Sequence, residues 1–261
     1  MTMTSVSTET TDNAFLGGRV QLLQPRRGYR AGVDPVLLAA AVAARPGEAV
    51  LELGCGVGTA LLCLGARVPG LTLCGVEVQP DYAELARRNA ARNRLSAEVV
   101  CADLADLSPG VKARTFDQVL ANPPYFQRTT SHASPDAGRE TGRGEGLALG
   151  HWIAVAARRL RTGGFATFIQ RAERLPEMLA GCEGRLGGLE VLPLIPRAGR
   201  AARLVLLRGR KGGGAAFRLH APVVLHHGEA HLADGDDYAP RIADVLRNGA
   251  ALPFAAAGKQ G

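Results

Sequence analysis

Lysine is nearly missing from this chain. Only three of its 31 cationic residues (Lys112, Lys211 and Lys259) are lysine, so arginine carries the formal charge of +7. Arginine is the better fork for phosphates and for stacking on bases, although a basic excess alone does not designate a nucleic-acid partner. The five cysteines (Cys55, Cys63, Cys74, Cys101 and Cys182) show no C-x-x-C spacing and sit mostly in apolar runs. That excludes a zinc ribbon or a disulfide frame and predicts reduced core thiols. No apolar run approaches the ~18 residues of a membrane-spanning helix, and the N-terminus has no hydrophobic signal core. A soluble, cytoplasmic chain is expected. His226, His227 and His231 have no acidic or cysteine partner at ligand spacing, so turn residues rather than a metal site are expected there. There is no internal repeat, which excludes a solenoid.

What is present is ordinary globular material: 261 residues, 46% apolar and 21% charged, enough for one large α/β domain with additions. Residues 1–14 are rich in Thr and Ser and are expected to be a disordered tail. A domain is expected over 15–210, and an extension packed on it over 211–261. Val20 to Leu23 reads as a strand or hairpin piece, followed by a basic turn through Arg30. Asp34-Pro35 opens a helix, with Asp34 as its cap. Leu147 to Leu160 reads as a helix stopped by Gly163-Gly164, Phe217 to Leu225 as a strand, and Tyr238 to Arg247 as a closing helix.

Between these lies an ordered series of strand ends. The strand Ala49 to Leu53 runs into Gly54-Cys55-Gly56-Val57-Gly58, with Glu52 just before the glycines. Glycines let a backbone turn tightly and approach a ligand closely. The next strand ends in Glu77, placed to bind ribose hydroxyls, and the third is followed by Asp103. The fourth, Phe116 to Ala121, stops at Asn122-Pro123-Pro124-Tyr125. Proline cannot donate to a sheet ladder and holds the preceding residue extended. Asn122 therefore stands at the carboxyl end of its strand, where open α/β sheets bind ligands. An amide, two rigid carbonyls and an aromatic ring suit a flat base carrying an exocyclic amine. A loop of about twenty residues follows, with Arg139 and Arg143, and reads as a substrate lid.

This set resembles the class I S-adenosylmethionine-dependent methyltransferase fold. It implies a Rossmann-like α/β domain: a seven-stranded, mostly parallel sheet with an antiparallel last strand and helices on both faces. The resemblance implies S-adenosylmethionine as cofactor, with Glu77 on its ribose, Asp103 on its adenine, and Gly54, Gly56 and Gly58 at its methionine end. Asp34, Glu52 and Asn122 complete the expected cofactor shell. Arg30 to Leu38, Asn122 to Tyr125, Arg139-Glu140 and Arg203 to Leu207 together resemble the bacterial tRNA1(Val) adenine-N6 methyltransferases. Members of that family typically read Gly-Thr-Asp-Gly where this chain has Gly32-Val33-Asp34-Pro35. The resemblance implies tRNA as partner and methylation of an anticodon-loop adenosine. Asn122 and Pro123 would hold the acceptor amine, Tyr125 would stack on the base, and Arg139, Arg143 and Arg203 would meet the RNA. Asn-Pro-Pro-Tyr also occurs in release-factor glutamine-N5 methyltransferases, which usually carry a helical domain before the catalytic one. Only about 47 residues precede the first strand here. Guanine-N2 methylation of rRNA and a catalytically silent RNA-binding scaffold are the other readings.

Overall fold

A computed structural model of the chain describes residues 9–125, 147–228 and 237–255. Its elements follow the order β1 (Thr10–Phe15), β2 (Val20–Pro25), α1 (Asp34–Ala41), β3 (Ala49–Leu53), α2 (Thr59–Arg67), β4 (Thr72–Glu77), α3 (Pro80–Arg92) and β5 (Ala97–Cys101). There follow α4 (Pro109–Lys112), β6 (Phe116–Ala121), α5 (Leu149–Arg159), β7 (Leu160–Arg171), α6 (Leu175–Cys182), β8 (Gly187–Ile195) and β9 (Leu204–Arg210). The last are β10 (Arg218–Leu219), β11 (Val223–Val224) and α7 (Pro240–Asn248). The lid loop with Arg139 and Arg143 lies outside the described residues.

Strands β5-β4-β3-β6-β7-β9-β8 form the main sheet in that order, and only β9 runs antiparallel to its neighbours. Among the described residues the sheet has nine strands rather than seven, because β10 and β11 each add two residues parallel to β8. The single strand expected over Phe217 to Leu225 is thus two pieces. Pro222 lies between them and has no N–H for a continuous ladder.

Both sheet faces are covered, as a parallel sheet requires. Val50, Leu120 and Ile169 meet α1, α2 and α7 on one face; Leu51, Leu53, Val119 and Phe168 meet α5 and α6 on the other. The chain beyond residue 210 joins the first core through Val223, Ile242, Val245, Leu252 and Phe254.

Three local expectations fail for tertiary reasons. Residues 10–14, placed by sequence in a disordered tail, belong with Phe15 to a strand in full antiparallel register with β2. Two asparagines, Asn89 on α3 and Asn93 at its C-cap, hold that hairpin. Asn89 bonds the Leu23 N–H and C=O at 2.8 and 3.0 Å, and Asn93 bonds those of Gln21 at 2.8 Å each. Gly163 and Gly164 do not stop a helix but lie inside β7, where each exchanges a backbone hydrogen bond with Lys211. Asp34 does not cap α1 with its side chain; Val33 is the cap residue and Asp34 opens the first turn.

Candidate active site

The strand order reverses between β3 and β6: β4 and β5 lie beyond one, β7 beyond the other. The crevice at the carboxyl ends of such a pair is the usual ligand site of an open α/β sheet. The β3 loop and Asn122 both emerge into it.

On the β3 side the loop is shaped by its glycines. Gly54, Gly56 and Gly58 adopt φ of 63°, 54° and 87°, the left-handed region that side chains strain to enter. A side chain at Gly54 would run into the Trp152 indole, 2.6 Å from the added carbon. At Gly56 nothing lies within 4 Å, so the backbone there faces open space.

Two carboxylates hold this loop. Glu77 accepts the Gly56 N–H at 2.8 Å through one oxygen and the Gln79 N–H at 2.9 Å through the other. Burial raises its pKa, partly offset by those backbone donors. Glu52 is 3% exposed and accepts the Leu61 N–H at 2.8 Å, one of the unpaired donors in the first turn of α2. Burial pushes its pKa well up, the Leu61 N–H works against that, and the Glu77 charge adds to it. Asp103, past the end of β5, accepts the Ala105 N–H at 2.8 Å.

On the β6 side the four motif residues are fixed from behind. Gln170, near the end of β7, is wholly buried. Its amide nitrogen donates to the Pro123 and Pro124 carbonyls at 3.2 and 3.4 Å, and its oxygen accepts the Arg171 N–H at 2.9 Å. Arg174 adds a second donor to the Pro124 carbonyl at 3.2 Å. A carbonyl has two lone pairs, so Pro123 keeps one for a ligand. The side-chain oxygen of Asn122 is buried with no hydrogen-bond partner. Orphaned buried acceptors are uncommon, and this one stands at the crevice.

Tyr125, expected to stack on the base, is held from two sides. Its hydroxyl donates to the Asp34 carboxylate, and the Arg171 guanidinium lies 5.6 Å from its ring centre. Burial first, then the Asp34 charge, pushes the phenol pKa up, so it remains a donor. Asp34 and Tyr125, 91 residues apart, are thereby joined at the crevice.

Tyr29 is the site residue that sequence reasoning missed. The hairpin β1–β2 delivers the turn after it to the crevice, where the Tyr29 hydroxyl lies 3.5 Å from the Asn122 amide nitrogen. The Tyr82 hydroxyl on α3 pins the turn by donating to the Tyr29 carbonyl at 3.1 Å. Tyr29 is 51% exposed; desolvation, then the charges of Asp34 and Glu52, push its pKa to about 12. An exposed aromatic in a basic turn was the available signal.

Elsewhere, Arg203 is exposed at the start of β9, on the same sheet edge. Arg158, Arg159 and Arg161 lie at the opposite edge. Arg159 bonds the Val111 and Lys112 carbonyls, and Arg161 pairs with Asp117. His226 bonds Asp237 at 2.6 Å and stacks on Tyr238. All five cysteines are free, Cys101 alone being exposed. Among the described residues no group of three or more His, Cys, Asp or Glu could hold a metal, and no helix is long and apolar enough to cross a membrane.

A family model for the methyltransferase small domain matches residues 32–181, more than half of the chain. The chain belongs to that family. The matched stretch takes in Asp34, the glycine loop, Glu77, Asp103 and Asn122 to Tyr125, and ends within α6. Among curated relatives, a tRNA1(Val) (adenine(37)-N6)-methyltransferase of Porphyromonas gingivalis is 34% identical over 61% of this chain and 66% of its own length. One of the same name from Aeromonas hydrophila is 28% identical over 80% of this chain and 87% of its own length. The chain thus spans just under two thirds of the first relative. Among solved structures, a predicted O-methyltransferase of Agrobacterium tumefaciens superposes with a TM-score of 0.67. It is 27% identical and covers 84% of this chain and 98% of its own. A T. thermophilus 16S rRNA N2 methyltransferase solved with AdoMet and guanosine superposes at 0.55 with 20% identity, over 78% of this chain and 50% of its own, a likeness of fold. These two solved methyltransferases share the fold, and the architecture is the class I one.

Proposed function

We propose that the chain transfers the methyl group of S-adenosylmethionine to N6 of an adenosine in tRNA, the anticodon-loop adenosine of tRNA-Val. The observation that carries the reading is the buried, unpartnered side-chain oxygen of Asn122, at the carboxyl end of β6 where the strand order reverses. The names of the curated relatives support the choice of base and of RNA.

The crevice fits the cofactor. Open space at Gly56 lets the backbone meet the methionine end, Glu77 stands at the end of β4 for the ribose hydroxyls, and Asp103 follows β5 for the adenine amine. Asp34 and Glu52 complete the acidic side. When bound, S-adenosylmethionine supplies an electrophilic methyl on a sulfonium.

The acceptor needs help because the exocyclic nitrogen of adenine delocalises its lone pair into the ring. The Asn122 oxygen and the free lone pair of the Pro123 carbonyl each accept one N–H. This draws the nitrogen toward tetrahedral geometry and aims its lone pair at the methyl. With the cofactor bound, the nitrogen–carbon bond would form as the carbon–sulfur bond breaks, and the excess N6 proton would leave to solvent. The catalytic work of the chain is orientation and electrostatics rather than base strength. Tyr125, already fixed by Asp34 and Arg171, forms part of a rigid wall for the extruded base.

The test is methyl incorporation from labelled S-adenosylmethionine into total tRNA of a strain lacking the gene, followed by mass spectrometry of the nucleosides. Label on N6-methyladenosine is expected. Label in a release factor or in unmodified rRNA instead of tRNA would overturn the substrate while leaving the methyl-transfer chemistry in place.

A further inference from the structure

We infer that the RNA strand is held by an arginine ledge at the carboxyl end of β7 and the amino end of β9, with Arg200 and Arg203 binding its phosphates. The inference rests on the proposed function for the position of the reacting base at Asn122. It adds the surface that the rest of the RNA occupies.

Charge along the site edge of the sheet is divided. The side of β5, β4 and β3 ends in Asp103, Glu77 and Glu52, with Asp34 beside them. The side of β7, β9 and β8 ends in arginines. A polyanion entering at Asn122 is drawn toward the cationic side chains of the second half.

Not every arginine there is available. Arg174 is committed to Glu177 and the Pro124 carbonyl, with its side chain 13% exposed. Arg197 is committed to Asp237 and the His227 carbonyl, with its side chain 15% exposed. Arg200 and Arg203 are both exposed, and neither side chain makes a hydrogen bond or ion pair with a described residue. Their backbone is nevertheless fixed. The Arg203 N–H donates to the Leu194 carbonyl at 3.2 Å, and its carbonyl accepts the Ala172 N–H at 2.9 Å. The Arg200 N–H closes a turn on the Arg197 carbonyl at 3.1 Å. Two exposed guanidinium groups, each carried on hydrogen-bonded backbone, are thus open to an anion.

The link to the reacting centre is short. Arg171 covers the Tyr125 ring, and Ala172 beside it bonds Arg203. From β6 across β7 to β9 is two strand spacings, ~10 Å, or about three stacked nucleotides. Arg158 and Arg161, by contrast, stand at the other end of β7, roughly 30 Å along the strand.

The decisive experiment compares the full chain with the Arg200→Ala/Arg203→Ala double variant and with Arg158→Ala. Total tRNA is titrated at several salt concentrations, and methyl transfer is measured alongside. For the double variant the slope of log affinity against log salt should fall by ~1.4, at ~0.7 per lost phosphate contact on a single strand. KM for tRNA should rise about tenfold or more, with kcat and cofactor affinity unchanged; Arg158→Ala should match wild type. Methylation of tRNA with an unaltered salt slope in the double variant overturns the ledge and leaves the function standing. A reduced slope without adenosine methylation keeps the ledge and overturns the base chemistry. No tRNA binding by wild type overturns both.

Discussion

Replacing Gln170 by Glu tests whether one buried amide holds the catalytic motif in place. Gln170 is wholly buried, and its oxygen is already committed to the Arg171 N–H at 2.9 Å. Its nitrogen must therefore face the Pro123 and Pro124 carbonyls, at 3.2 and 3.4 Å. Glutamate has the same shape but, once ionised, no donor. It would set a charge against two carbonyl dipoles in a dry site, so the introduced carboxyl should hold its proton above the usual carboxylate range. The Arg174 guanidinium, on the same Pro124 carbonyl, offsets part of that effect. With the folded pKa raised, the variant is most stable below the unfolded value of about 4.3. It then loses ~1.4 kcal/mol per pH unit until the folded pKa is passed. Urea unfolding of both proteins at pH 5 and pH 7.5 should show the deficit of Gln170→Glu widening by roughly 2–3 kcal/mol. Transfer at pH 7.5 should fall ~100-fold through misplacement of the acceptor carbonyl, with cofactor affinity little changed. A deficit equal at both pH values would refute the reasoning, because the carboxyl would then be solvated and the motif held by something else.

Asn122→Ala should lower methyl transfer by ~100- to 1,000-fold while calorimetry shows nearly wild-type cofactor binding; equal loss of both would remove Asn122 from the acceptor side. Glu52→Gln keeps an acceptor for the Leu61 N–H and removes a buried carboxyl whose pKa is raised. Wild type loses stability as pH climbs from the unfolded carboxylate pKa toward that raised value, and the variant does not. Thermal unfolding should therefore favour Glu52→Gln more at pH 8 than at pH 5, and a reversed order would show that the charge is needed. Glu77 also has a raised pKa, and ribose hydroxyls bind best to its ionised form. Cofactor affinity should fall as pH drops through that pKa, and binding there should release a proton. Calorimetry in buffers of different ionisation heat reads the release, which Glu77→Gln should abolish; persistence in the variant would place the proton elsewhere.

Local chemistry determined the frame of this protein. Short apolar strands ended by glycine or proline, with Glu52, Glu77 and Asn122 at their ends, fix the order of β3, β4 and β6 and the edge at which ligands meet them. Those signals span a few residues each, because backbone freedom at glycine and its loss at proline act within a turn. The tertiary structure decided whatever depends on partners far away in the chain. Thr10–Phe15 has a weak strand sequence and becomes a strand because β2 pairs with it and α3 anchors β2 from about 70 residues away. Gly163 and Gly164 read locally as a helix stop, yet backbone pairing with Lys211 keeps them in β7. Asp34 looks like a cap and instead meets Tyr125; Tyr29 looks like a turn residue and instead reaches Asn122. Gln170 carries no motif at all, and its role arises only because β7 lies next to β6 and brings its amide to the two proline carbonyls. Sequence wrote the strand ends, and only the closing of the sheet determined which side chains those ends would share.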